Sequence, residues 1–563
     1  MTESHTAIAE KPRAGTAASI GWAVLILATM YVCYFRHLGV IGFAGPDEPR
    51  YAWIARDMGE TGDWVTPRLY GNPWFEKPPL FYWGAAVCFR VFGVSETAAR
   101  LPSAISALLA TLALAWLVWR LYGAEAARWL LLLLPTSVGM IGFSHAAATD
   151  MPFTGMLTIA MVAAAVVLGL TRDENTPVLP RTPWLALVLF GFFLGLAILA
   201  KGPAAILLSG GAVFFWALFT QRWRDAFRLF HPLAIVTLSA TALPWYLLCA
   251  RRNPDFFRIF IIEHNFKRFL TAEFQHIQPF WFYLPVLLVA FLPWTFLLLC
   301  SAFGSSRNVW RRREISPSGC FLLCWAGFCV LFFTVSRSKL PGYVLPAVPA
   351  IAALLARDLS RRLEQGLRNA SWACGEVALA FVAMGVAAEL QGRKIPFVTD
   401  IHPAPTVVQF YALMFLAGIA IATLAVLRRA QIALVIAAIA LPAFLIFGMG
   451  NFWELDGGVS ARPAALGALN HLTKADLDKA TDYKLKRGLG FGLNFYLHRE
   501  LRQWTPDNPQ HSIIFTSVAS SKELETLGAR CESEIAYPAV ITCEVSQGVP
   551  SLMRGVPGSG EPK

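Results

Sequence analysis

Charge is scarce in this sequence. Lys, Arg, Asp and Glu make up only 15% of 563 residues, against 56% hydrophobic and 13% aromatic, where an ordinary soluble domain carries about a quarter charged residues. That shortage argues against a soluble globular protein and for one that crosses a membrane many times. Acidic residues are scarcer than basic ones, and formal net charge is +12. No basic soluble segment accompanies the excess, so nucleic acid is not the expected partner and the Lys and Arg are assigned to cytoplasmic loops. The first apolar run, SIGWAVLILATMYVCYF from residue 19, lacks a small-residue cleavage site. Residues 1–18 therefore read as a cytoplasmic leader and the run as a retained signal-anchor. Tandem repeats and low-complexity tracts are missing apart from the Gly/Pro-rich tail after Gly548. Of the ten cysteines, eight sit in or beside apolar segments, where a thiol behaves as a small hydrophobe. The other two, Cys531 and Cys543, flank a hairpin-like stretch and are open to either a disulfide or two separate thiols.

What is abundant is apolar runs of near-20 residues. They begin near residues 19, 101, 128, 150, 184, 203, 231, 281, 319, 341, 371, 407 and 431. Residues 80–93, LFYWGAAVCFRVFG, are a doubtful addition. The basic loops (Arg120 to Arg128, Arg172 to Arg181, Arg222 to Arg228, Arg307 to Arg313, Arg357 to Arg368, Arg428-Arg429) all belong inside. The number of crossings between Ser19 and Arg120 must then be even, and the spans at 19 and 101 already supply two. The short 80–93 segment, with Arg90 inside it, is left as a juxtamembrane helix. About thirteen transmembrane helices follow, with the N-terminus inside and the C-terminus outside. After residue 450 the apolar spans stop. Segments NFYLH, HSIIFTSV and AYPAVITCEV look like strands, and ARPAALGALNHL looks helical, so 451–563 reads as a small α/β domain outside the membrane. The expected organisation is a leader (1–18), a transmembrane domain (19–450) with a first external loop over 37–100, and that external domain.

This topology gathers the unusual polar residues on one face. Residues 45–79 are too rich in Pro, Gly and charge for lipid. They open on Gly45-Pro46-Asp47-Glu48-Pro49 and close on Phe75-Glu76-Lys77-Pro78-Pro79, where two prolines hold the charged pair still. Between them Tyr51, Ile54, Ala55 and Met58 share a face opposite Arg50, Arg56 and Asp57, the pattern of a helix lying on a membrane surface. Asp47, with Glu48 beside it, is a candidate general base or orienting group, and Asp150, at the external mouth of a span, is a second candidate. Helix capping explains either acid as well. Lys77, Lys201, Lys339, Arg268 and Lys267 are external cations at membrane depth, and five together call for an anionic partner such as a phosphate. Tyr343 can add a hydroxyl to the same group. Glu76 and His264, with Glu263, are of types that hold a divalent metal, while a salt bridge is the competing reading for Glu76. Trp74, Trp83, Trp281 and Trp294 read as an aromatic belt.

At these residues the chain resembles the 4-amino-4-deoxy-L-arabinose transferases that modify lipid A, and more broadly the dolichyl-phosphate-mannose protein mannosyltransferase superfamily of GT-C glycosyltransferases. The motifs that carry the resemblance are PDEPRYAWIARDM, GDWVTPRLYGNPWFEKPPLFYW, FGVSETAARLPSAI, ATDMPFT, LAKGP, EHNFKRF and SKLPGYVLPAVPA, spread over the whole membrane region. The resemblance implies an α-helical GT-C fold of thirteen spans with two juxtamembrane helices, located in a bacterial inner membrane with its active site on the periplasmic face. It implies a donor sugar on undecaprenyl phosphate, lipid A or another periplasmic acceptor, and inverting transfer by a monomer. By position it makes Asp47 the catalytic acid of the first loop. Lys77, Arg268 and Tyr343 become holders of the lipid phosphate, with Lys201 in support, and Glu76 with His264 a divalent-metal site for Zn, Mg or Mn; no organic cofactor is implied. The family's usual Thr is replaced here by Pro49. Another sugar, such as galacturonic acid or mannose, or another acceptor would suit the same motifs. A lipid or sugar transporter is the alternative of a different class, though the ionisable residues gather at one face and no matched pair of interrupted helices is seen.

Overall fold

The structure, a computed structural model, describes residues 16–171, 183–267, 277–312, 316–391, 405–447, 453–505, 512–532 and 538–545. Arg268 lies outside these residues, as do the side chain of His264 and most of the leader and tail. Among the described residues nine helices are long and apolar enough to cross a membrane, and two bent helix pairs raise the figure to eleven. Reaching thirteen requires the shorter apolar helices Ala204–Thr220 and Phe410–Val426 as well. Most of these helices are apolar on all sides. The first, Thr16–Tyr34, leaves Ile20, Val24, Leu27 and Tyr31 exposed, as a lipid-facing helix does.

Helix Asp150–Val167 runs through the middle of the bundle and is buried over most of its length. Small residues allow this: a Cβ on Gly155 would lie 2.8 Å from the Ser106 carbonyl oxygen of helix Glu96–Tyr122. That helix starts at Glu96, five residues before the first apolar turn, because Ser95 caps it by accepting from the Ala98 N–H. The two bent pairs, Ala124–Leu133 with Val138–Ser144 (61°) and Tyr283–Ala290 with Thr295–Gly304 (117°), break against each other. Val138 N donates to the Leu292 carbonyl at 2.9 Å and Trp294 Nε1 to Thr136 Oγ1 at 3.0 Å. Each break thereby satisfies polar groups freed by the other, as burial in an apolar bundle demands.

The first loop carries helix Asp47–Thr61, a hairpin of Arg68–Leu69 with Asn72–Pro73, and helix Leu80–Phe92. The last is 13 residues long, and its Arg90 donates to the Gly59 carbonyl through Nε (2.9 Å) and Nη2 (2.7 Å). Arg90 thus caps the C-terminus of the preceding helix. Helix Asp47–Thr61 is not left with an open polar face, as a helix lying free on a surface would be. Its polar face is covered by the C-terminal region, and Glu48, Arg50, Tyr51, Ile54, Ala55 and Met58 are all buried.

That C-terminal region holds a five-stranded sheet in the order Arg502–Gln503, Thr481–Tyr483, Ser512–Thr516, Ile541–Val545, Ala529–Glu532. The first three strands are mutually parallel and the last two pairings antiparallel. NFYLH is not a strand but the end of helix Arg487–Leu497. Leu493 and Leu497 of this helix pack into the sheet's core while Phe491, Phe495 and Tyr496 pack onto the first loop. Burial on two sides erased the period of 3.6 that would have marked it as helical. Cys531 and Cys543 stand directly opposite each other on paired strands and form a disulfide. Replacing both by Ser is expected to lower the stability of this sheet by about 2–3 kcal/mol, given the short loop closed. Faster protease cleavage within 512–545, in the variant and in reduced wild type alike, is the measurement; equal resistance would show the bridge to be dispensable.

Candidate active site

Gly45, at φ +66°, turns the chain so that Asp47 and Glu48 occupy the first turn of helix Asp47–Thr61. The cap position is Pro46, with no side-chain cap, so Asp47 is not the N-cap. Its Oδ1 instead accepts from Arg50 Nη2 at 2.5 Å, and its side chain stays half exposed. The same Nη2 lies 3.0 Å from Glu76 Oε2, and the other oxygen of Glu76 lies 3.8 Å from Lys77 Nζ. Arg50 is the centre of this group. Its guanidinium sits over the rings of Tyr51 (5.2 Å), Trp74 (5.3 Å) and Phe491 (5.9 Å), and only 5% of it is exposed. Burial, with Glu76 and then Asp47, pushes the phenols of Tyr51 and Tyr82 well above their ordinary pKa, so both remain donors at any physiological pH. The Tyr82 hydroxyl and Arg50 Nε are buried without a hydrogen-bond partner among the described residues.

Glu48 has a different task from the one expected. Arg100 Nε and Nη2 hold its two oxygens at 2.9 and 2.8 Å, and the Ala147 and Ala44 N–H groups donate to them at 2.7 and 2.9 Å. Glu48 is therefore a structural lock and has no oxygen left for catalysis. Through Ala147 it ties the first loop to the turn leading into Asp150.

Asp150 also sits in the first turn of its helix, after Thr149 and without a capping bond. Lys201 Nζ donates to Asp150 Oδ1 at 2.5 Å and lies 4.7 Å from the centre of the Tyr343 ring. Asp150, Lys201 and Tyr343 thus meet from three separate segments, with Gly342 so close to Asp150 that a Cβ there would touch the carboxylate. Lys339 is buried and donates to the Ser336 carbonyl of its own loop at 2.7 Å. Lys267 is exposed at the end of the wide-wound (π) helix Arg258–Lys267. Three of the five cations stand beside partners within the protein. Lys77 and Lys201 stand beside the protein's own carboxylates, and Lys339 is bonded to a carbonyl.

The metal expectation fares differently. No three His, Cys, Asp or Glu side chains converge among the described residues. Glu263 pairs with Arg258 at 2.7 Å, and Glu76 faces both Arg50 and Lys77. The side chain of His264, the other expected ligand, lies outside the described residues. Of the four tryptophans read as a belt, Trp281 is exposed, whereas Trp74 covers Arg50, Trp83 donates to the Trp64 carbonyl and Trp294 is buried.

Residues 20–260 match the dolichyl-phosphate-mannose-protein mannosyltransferase family. An undecaprenyl phosphate-α-4-amino-4-deoxy-L-arabinose arabinosyl transferase of Pseudomonas aeruginosa is 31% identical over 512 residues, covering 86% of this chain and 90% of its own. The chain belongs to this arabinosyl transferase family. The namesake from Erwinia tasmaniensis is 33% identical over 368 residues, and that match spans just under two thirds of each protein, 65% of this chain and 64% of the relative. The crystal structure of ArnT from Cupriavidus metallidurans bound to undecaprenyl phosphate superposes with a TM-score of 0.76 at 25% identity, covering 94% of this chain and 99% of that one. Sequence alone does not single out Arg50, Tyr82, Arg100 and Phe491. Arg50 was assigned to a solvated face; the one signal against that was its spacing, three residues after Asp47, which on a helix places the two side chains together.

Proposed function

We propose that the protein transfers 4-amino-4-deoxy-L-arabinose from undecaprenyl phosphate to lipid A at the periplasmic face of the bacterial inner membrane. The observation that carries this reading is the group Asp47, Arg50, Glu76 and Lys77, set at one end of a membrane bundle whose relatives along most of their length bear that name. In the reaction the bond between sugar C1 and the lipid phosphate oxygen breaks, its electron pair leaving with undecaprenyl phosphate, while an acceptor oxygen bonds C1 from the opposite face. Lys77, with Arg268, neutralises the charge that builds on the departing phosphate. Lys201 is paired with Asp150 and set against the Tyr343 ring, so its charge is already shared within the protein. A lipid A phosphate is already ionised, so Asp47 has no proton to remove; held by Arg50, it orients the acceptor and favours the positive charge developing at C1.

The test is transfer by purified protein in nanodiscs, with labelled undecaprenyl-phosphate-aminoarabinose and lipid A. Labelled lipid A is expected from wild type, with a loss of about 10²–10³-fold in Asp47→Asn and in Lys77→Ala, the scale of removing one preorganised charge. Donor binding that is lost in Lys77→Ala, without transfer to any acceptor, would assign a different sugar. A donor that neither binds nor reacts would overturn the transferase reading.

A further inference from the structure

We propose that the helix Arg487–Leu497 of the C-terminal domain forms part of the active site, with Phe491 closing an aromatic cage around Arg50 that positions Asp47 and Glu76 for transfer. This rests on the functional reading above and gives the C-terminal domain a task in it. Two rings of the cage, Tyr51 and Trp74, come from the first loop, and the third comes from the far end of the chain. The helix that brings it is seated closely. A Cβ on Gly488 would lie 2.7 Å from the Gly45 carbonyl carbon and oxygen and 3.0 Å from Pro46 N, so its backbone rests on the turn that launches Asp47. Asn494 Nδ2 donates to the Tyr70 hydroxyl at 2.8 Å, Arg56 Nη1 donates to the Phe495 carbonyl at 3.3 Å, and Phe43 packs edge-on against Phe495 at 4.8 Å. The ring of Phe491 is therefore held in place from both sides of Arg50.

A guanidinium that must contact two carboxylates with one nitrogen has little freedom to spare. Cation–π contact with three rings restricts it, and Arg487 of the same helix lies over the Phe491 ring as well, at 5.5 Å. Phe491 does not itself touch substrate in this scheme; it is a positioning residue acting through Arg50.

The experiment uses the full-length protein in nanodiscs with Phe491→Tyr and Phe491→Leu. Tyr keeps the ring and adds a hydroxyl, whereas Leu is apolar, somewhat smaller and has no π face. Phe491→Tyr is expected to retain kcat within about twofold, while Phe491→Leu lowers it roughly three- to tenfold at unchanged donor KM and unchanged melting temperature. In an Arg50→Lys background the Leu change should add little. Equal kcat in Leu and Phe, or a loss that simply multiplies with that of Arg50→Lys, would reduce Phe491 to packing. Hydrogen exchange across residues 44–61 gives a readout independent of turnover. Phe491→Leu should speed exchange there and Phe491→Tyr should not, and identical exchange in all three overturns the proposal. If wild type transfers no sugar, the functional reading fails while the exchange result still decides this one.

Discussion

Arg50→Ala is expected to lower kcat/KM for transfer by about 10²–10³-fold, the effect of losing one preorganised charged group in a water-poor site. Two consequences add. Asp47 loses the one hydrogen-bond donor on its carboxylate among the described residues, so a half-exposed side chain that must hold one orientation is free to rotate. Glu76 loses its 3.0 Å partner, and more of its charge falls on Lys77, which lies 3.8 Å from it. Lys77 is then neutralised from within and holds the lipid phosphate less well. Donor KM should rise along with the fall in kcat. Arg50→Lys is expected to fall between, losing about tenfold, because an ammonium lacks the planar guanidinium face that lies over Tyr51, Trp74 and Phe491. Steady-state kinetics with donor varied at saturating acceptor separates the two effects. Arg50→Ala working within threefold of wild type would remove Arg50 from the centre of the site.

The fold was legible where one physical rule dominated. Lipid demands apolar helices, and cytoplasmic charge sets their orientation, so a count of crossings assigned residues 80–93 to a helix beside the membrane. The structure supplies the local reason, a 13-residue helix whose arginine is spent capping Gly59. Legibility failed where two rules met. Helix Arg487–Leu497 is apolar on two faces because it separates two cores, and its last residues took on the look of a strand.

At the site, residue type was legible and partnership was not. The sequence displays Asp47, Asp150, Glu76, Lys77, Lys201 and Tyr343 as unusual for their places. It does not display that Asp150 and Lys201 neutralise each other, since they lie 51 residues apart. Nor does it show that Glu48, adjacent to Asp47 and chemically equivalent, points to the opposite partner. On a helix neighbours in sequence diverge by about 100°, so Asp47 faces Arg50 and Glu48 faces Arg100.

Arg100→Met should accordingly be the most destabilising single change in the first-loop region, by about 3–5 kcal/mol, the cost of breaking a buried ion pair from one side. Arg100 and Glu48 are 5% and 8% exposed. Beyond the pair, Arg100 Nη1 donates to the Leu38 and Ile41 carbonyls and Nη2 to that of Gly42, all at 2.7–3.0 Å. An isolated buried pair can often be replaced by two apolar residues at little cost. This one cannot, because Glu48→Met with Arg100→Met leaves three carbonyls and the Ala44 and Ala147 N–H groups without partners. The double variant should remain destabilised, yet by less than the sum of the singles, since only the singles strand a buried charge. Thermal unfolding in detergent for wild type, both singles and the double closes this cycle. Arg100→Met melting within about 2 °C of wild type would contradict the lock. Transfer should decline together with stability in these variants, because the lock joins the turn before Asp47 to the turn before Asp150, and both acids lose their common support when it opens.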